Sequence, residues 1–146
     1  MRISKIDLQC EDIMWFAVDS QKHIVECTSA GCGNVPEFVC RSKEDTDYLM
    51  KFFLYQLEEY TQCDLLIDYN DTNQLIKDCI LLSRKGIYCF DACNDGEYVN
   101  YYAKISQPKK PLLYDELPEL VKEKLIDNII DINVLKESIL NVENAY

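Results

Sequence analysis

The stretch Trp15-Phe16-Ala17-Val18-Asp19, Ser20-Gln21-Lys22-His23, Ile24-Val25-Glu26-Cys27-Thr28-Ser29, Ala30-Gly31-Cys32-Gly33-Asn34-Val35-Pro36-Glu37-Phe38 decides how this chain folds. Ile13 to Asp19 is rich in apolar and aromatic residues and reads as a strand. Ser20 to His23 is a polar turn. Ile24 to Ser29 alternates Ile24, Glu26 and Thr28 against Val25, Cys27 and Ser29, which makes it the natural hairpin partner. The loop Ala30 to Asn34 follows, in which Gly31 and Gly33 accept positive φ without steric cost, and Pro36 holds Val35 extended. These residues specify backbone geometry; they do not by themselves specify chemistry.

Working outward, Ser42 occupies the position of a helix N-cap, and Asp45 three residues on imitates a capping box. Leu49, Phe52, Phe53 and Tyr60 then recur on one helical face, opposite Glu44, Asp47, Lys51, Glu58 and Glu59, so an aromatic face is expected to lie on the sheet. Cys63 to Tyr69, with Leu65-Leu66-Ile67, reads as a short buried strand, and Asn70 to Asn73 as a turn. Leu75 to Arg84 reads as a helix closed by Gly86; a strand competes, because Cys79-Ile80-Leu81-Leu82 is apolar all round. Gly86 launches a strand through Asp91. Ala92 to Gly96 is a hairpin loop with Asp95-Gly96 as its turn signal, and Glu97 to Ile105 returns as the partner strand, ended by Pro108 and Pro111. Asp115 or Glu116 caps a helix with Pro118 in its first turn, and Ile126 to Tyr146 is expected to form one more helix. The order predicts a single α+β domain over residues 1–146. Its largely antiparallel sheet is built from two hairpins plus a central strand and packs against helices.

With 146 residues, 48% of them apolar and 28% charged, the composition is that of a soluble globular protein. No apolar run approaches the ~20 residues of a membrane span. The segment Met1 to Asp12 is charged throughout and lacks the apolar centre of a signal peptide, so a cytoplasmic location is expected. The formal charge of −11, from 26 acidic and 15 basic residues, disfavours nucleic acid as a partner. It favours fast encounter with a basic protein, beside the plain role of keeping a protein soluble.

Eight cysteines, Cys10, Cys27, Cys32, Cys40, Cys63, Cys79, Cys89 and Cys93, fall largely in apolar runs and read as reduced core residues. Cys27, Cys32, Cys89 and Cys93 lie near, but not on, zinc-knuckle spacing, and His23 is the single histidine. No metal or other cofactor is expected, although a zinc-stabilised module stays open if those four thiols converge. Cys32, in its glycine loop, with His23 as base defines the contrasting class, a small thiol-dependent enzyme. Phosphate-binding loops are excluded: Pro36 stands where a third glycine is needed, and no lysine follows. The carboxylate pairs Glu11/Asp12, Glu58/Glu59 and Asp115/Glu116 read as solvated. Tyr88, Tyr98, Tyr101 and Tyr102 crowd one hairpin. With Asp91, Asp95 and Glu97, the residues Tyr98, Tyr101 and Tyr102 form a candidate partner-binding surface, sheet packing being the other reading.

Trp15-Phe16-Ala17-Val18-Asp19, the Ser29-to-Glu37 loop, Gly86-Ile87-Tyr88-Cys89-Phe90-Asp91, Pro108-Lys109-Lys110-Pro111-Leu112 and Leu117-Pro118-Glu119 form a pattern. It resembles a largely uncharacterised group of small bacterial proteins that look like immunity proteins of polymorphic toxin systems. The resemblance runs from about Ile13 to about Leu120 and rests on Trp15, Asp19, Gly31, Gly33, Pro36 and Glu37 as structural motif residues. It implies a non-catalytic cytoplasmic protein that neutralises a cognate toxin by stoichiometric binding. An acidic surface suits a basic toxin domain such as a nuclease.

Overall fold

The computed structural model describes residues 1–68, 73–92 and 100–146. Its elements in chain order are α1 (Lys5–Cys10), β1 (Met14–Val18), β2 (Ile24–Thr28), α2 (Glu37–Cys40), α3 (Lys43–Lys51), β3 (Cys63–Leu65), α4 (Gln74–Ser83), β4 (Tyr88–Asp91), β5 (Tyr101–Pro108), α5 (Glu119–Leu125) and β6 (Ile139–Asn141). The architecture is α+β, and the sheet runs β1-β2-β4-β5-β3, with β6 also pairing β5. All pairings are antiparallel except β2 with β4, which run parallel. The short strand after α3, expected at the centre, lies at the margin: β6 and β3 share the same side of β5, beside its first and last residues.

Period-two alternation splits the strands between two cores. Trp15, Ala17, Val25, Cys27, Tyr88, Phe90 and Tyr102 belong to one. Phe16, Val18, Ile24, Cys89 and Ile105 belong to the other. The Phe16 face is roofed by α3, α4 and α5 through Leu49, Phe53, Cys79, Leu82, Val121 and Leu125. The Trp15 face is covered by short α1 and α2 and by the C-terminal chain, through Ile3, Leu8, Val39, Ile130, Val134 and Leu140.

Several expectations need correction. Ser42 does cap α3, its side chain accepting from the Asp45 backbone N–H, but the α-helix ends at Lys51 and Tyr60 lies outside it. A π-helical turn, Phe52–Gln56, continues it. That wider turn buries the adjacent Phe52 and Phe53 together. Buried Lys85 donates to the Phe53 and Leu54 carbonyls at 2.8 Å each, and burial lowers its pKa. Asp115 and Glu116 lie in a 3-10 turn, Tyr114–Glu116, rather than capping α5.

Residues 126–146 contain no helix. Asn128 and Ile130 are buried while Ile129 and Asp131 are exposed, the two-residue period of extended chain. The segment runs beside β1: Val18 N–H donates to Asn128 O at 2.8 Å, Ile130 N–H to Val18 O at 3.0 Å, and Ser20 N–H to Ile132 O at 2.9 Å. Cys93 to Val99, carrying the hairpin turn and the start of its return strand, lie outside the described residues, as do Tyr69 to Thr72.

Candidate protein-binding groove

The motif residues hold the Trp15 face together through polar knots. Asp19, 3% exposed, ends β1. Its carboxylate accepts from the backbone N–H groups of Gln21, His23 and Val134 at 2.8–2.9 Å and faces His23 Nδ1 at 2.9 Å. One carboxylate thus shapes the hairpin turn and fastens the C-terminal chain to it. Trp15 Nε1 donates to Tyr102 Oη at 3.2 Å, and Tyr102 Oη donates to Asn34 O at 2.5 Å. Gly33 makes room for this: a Cβ there would stand 2.9 Å from Tyr102 Oη and 2.4 Å from Ala92 Cβ. The left-handed positions of the loop are Ala30 and Gly31, so Gly33 is needed for close approach rather than for φ. Pro36 takes the N-cap position of α2, and Glu37 pairs with Arg2, which holds the Glu37 carboxyl below its ordinary range.

Beside these knots lies an open groove of about 510 Å³, walled by Pro36–Phe38, by residues 129–132 and by residues 140–145. Leu140 at its floor is buried, and Phe38, packed edge-on to Trp15 at 6.0 Å between ring centroids, contributes to one wall. Asn34 Nδ2 donates to Val142 O at 2.8 Å, Val35 N–H to Asn144 Oδ1 at 3.1 Å, and Ala145 N–H to Val35 O at 2.9 Å, fixing the opposite wall. The lining carries the carboxylates of Glu37, Asp131 and Glu143 and no lysine or arginine. Since Arg2 already binds Glu37, Asp131 and Glu143 remain as exposed carboxylates in no ion pair among the described residues.

Exposed apolar and acidic side chains also recur along the sequence outside the groove. Seven of the thirteen exposed large apolar side chains among the described residues lie from Leu113 onward, including Ile126, Ile129, Leu135 and Ile139. In the same span Asp127 pairs with Arg41 at 3.1 Å and Glu119 with Lys122 at 2.8 Å. Asp115, Glu116, Glu123 and Glu137 are exposed and in no ion pair among the described residues. At the groove, apolar contact area beside unpaired carboxylates suits a basic protein surface.

Of the tyrosine-cluster surface read from the sequence, Tyr101 alone is on an open face in the described residues, 37% exposed and paired across to Asn141 of the groove wall. Tyr102 is fully buried and Asp91 is 8% exposed, because β5 and β4 lie inside the covered sheet, so neither is an open contact. Tyr98, Asp95 and Glu97 lie outside the described residues. The groove walls at residues 129–132 and 140–145 fall within the apolar-acidic alternation of Ile126 to Tyr146, which the sequence presents as a helix.

Thiol and metal candidates are rearranged as well. His23 precedes β2 and is held by Asp19, whereas Cys32 follows β2, its thiol donating weakly to Ser29 O and Ala92 O at 3.7 and 3.6 Å. The strand separates the two by roughly 16 Å of extended chain, so they do not form a nucleophile–base pair. Cys27 and Cys89 belong to opposite faces of the sheet and cannot share a metal; Cys93 lies outside the described residues. No disulfide forms among the described cysteines. Glu26 is buried on the Phe16 face, where Thr28 Oγ1 donates to its Oε1 at 2.6 Å. Desolvation pushes its carboxyl up to about 8. No protein-family model, curated protein or solved structure matches this chain.

Proposed function

We propose that this chain is a non-catalytic binding protein that neutralises a basic toxin domain by stoichiometric occlusion, in the manner of the immunity proteins its motifs resemble. The observation that carries the reading is the groove in which Asp131 and Glu143 stand exposed beside Ile129, with no cationic side chain in the lining. The chain's charge of −11 supports it, since a field of that sign accelerates encounter with a basic partner and an acidic groove selects against acidic ones. The rigid knots at Asp19 and Tyr102 support it too, because a pre-organised surface loses little entropy on binding.

The test starts at the neighbouring gene, where a large secreted protein with a variable C-terminal domain is expected, and proceeds to co-expression with that domain. Wild-type protein is expected to restore growth, and an Asp131→Lys/Glu143→Lys variant to restore it poorly. Failure of the wild type rejects the toxin pairing. Full rescue by the double variant rejects the groove as the contact. Cys32→Ser should rescue like wild type; loss of rescue with the fold retained would favour the thiol-dependent enzyme instead.

A further inference from the structure

The interior of the Phe16 face holds a group of side chains that partner binding leaves unused. Glu26 rises from the middle of β2, Cys89 from the directly paired position on β4, and Cys79 from α4 above them. All three are buried, and a carboxylate oxygen and the two sulfurs lie within 4.8 Å of one another. Glu26 Oε1 accepts the Thr28 hydroxyl, but Glu26 Oε2 is enclosed with no hydrogen-bond partner. It is one of a few such atoms among the described residues, with Asn34 Oδ1 and Tyr88 Oη, and the one that lies beside two thiols; an ion is one of the few explanations available for an orphaned oxygen in that setting.

We propose that Glu26, Cys79 and Cys89 form a buried site for a thiophilic d10 cation, zinc in the first instance, that ties β2, β4 and α4 together. Two soft thiolates and one carboxylate are a ligand set zinc accepts, held at bonds of ~2.0–2.3 Å once the side chains close on the ion. Binding releases the two thiol protons and any proton on Glu26, and gives the orphaned oxygen its partner. Hydroxyls stand ready to orient the ligands. Thr28 bonds Glu26, and Ser83 Oγ lies 3.8 Å from Cys89 Sγ and 2.7 Å from Ser106 Oγ, which itself donates to Cys79 O at 3.1 Å. Full burial excludes substrate, so the role is structural. The site is independent of the partner-binding reading.

The experiment uses the full chain, purified under reducing conditions, stripped with a chelator and titrated with cobalt(II), then zinc. One equivalent of cobalt is expected to give sulfur-to-metal charge-transfer absorption, bleached by one equivalent of zinc. Cys79→Ser and Cys89→Ser should abolish the charge-transfer band, whereas Cys10→Ser and Cys63→Ser, which remove thiols elsewhere, should leave it intact. Glu26→Gln is isosteric with the neutral acid and keeps the fold, so it tests the site even if a cysteine variant unfolds; it should bind at least about tenfold more weakly. Absence of a stoichiometric band in the wild type, its survival in Cys89→Ser, or undiminished affinity in Glu26→Gln each overturns the site.

Discussion

The two faces of the sheet are covered by different means. On the Phe16 side, helices deliver bulky side chains: Phe16 and Phe53 stack at 4.5 Å between centroids, and Leu49, Leu82, Val121 and Leu125 fill the space around them. On the Trp15 side, short helices and extended chain lie over the strands, and their backbone groups are satisfied one by one by Asp19, Asn34 and Tyr102. A helical roof satisfies its own backbone and needs only volume from its side chains. A strap of irregular chain needs a polar partner wherever it is buried. The first face should therefore respond to lost volume, and the second to the loss of single polar atoms.

The largest expected effect is on the helical side. Phe53→Ala empties a fully buried site against Phe16 and should cost about 3–5 kcal/mol in urea unfolding. A loss under about 1 kcal/mol would show that volume does not govern this face. Next comes Glu26, the polar exception within it. In metal-free protein with chelator present, its carboxyl titrates near 8 in the fold against 4.5 ordinarily, because burial disfavours the charge. Folding therefore favours the protonated form. Its contribution is complete below about pH 4.5 and is lost as pH rises to about 8, by an amount on the order of a few kcal/mol. Unfolding free energies measured across that window should fall for wild type and vary less for Glu26→Gln; parallel curves would remove Glu26 as the cause.

On the strap side, Tyr102→Phe deletes one oxygen yet leaves Trp15 Nε1 and Asn34 O without their partner, at an expected cost of about 1–3 kcal/mol. A neutral result would make the Trp15 face as indifferent to polar detail as the helical one. The smallest effect belongs to the groove rim. Asp131→Lys and Glu143→Lys touch exposed side chains and should shift stability by no more than about 0.5 kcal/mol while impairing toxin neutralisation. A large destabilisation would mean the rim is part of the strap's anchorage rather than a surface.

The same contrast explains what was legible in the sequence. The hairpin around Ser20–His23 and the helices capped at Ser42 and following Asn73 are local, and their periodicity and caps point to them directly. The π-helical turn at Phe52 depends on Lys85, more than thirty residues away in sequence, and the parallel β2–β4 pairing on a crossover, so neither has a local signal. Residues 128–131 did carry a two-residue alternation, but without a neighbouring strand in view it passed for amphipathic helix. Gly33 was legible as special, though the cause, the approach of Tyr102 from β5, becomes visible only in three dimensions. For the candidate site, net charge pointed to a basic partner. Of the tyrosine surface, Tyr101 is exposed and Tyr102 is needed inside, while Tyr98 lies outside the described residues.

The margins of the sheet also limit how any partner can approach. The outer side of β1 is met at its C-terminal end by residues 128–132, and the far side of β5 by β6 and β3, each only three residues long. Among the described residues no long row of unpaired amides is left as a template for another chain, which guards against edge-to-edge aggregation and domain-swapped sheets. Recognition by strand addition is correspondingly disfavoured, and a partner must read this protein through side chains and shape.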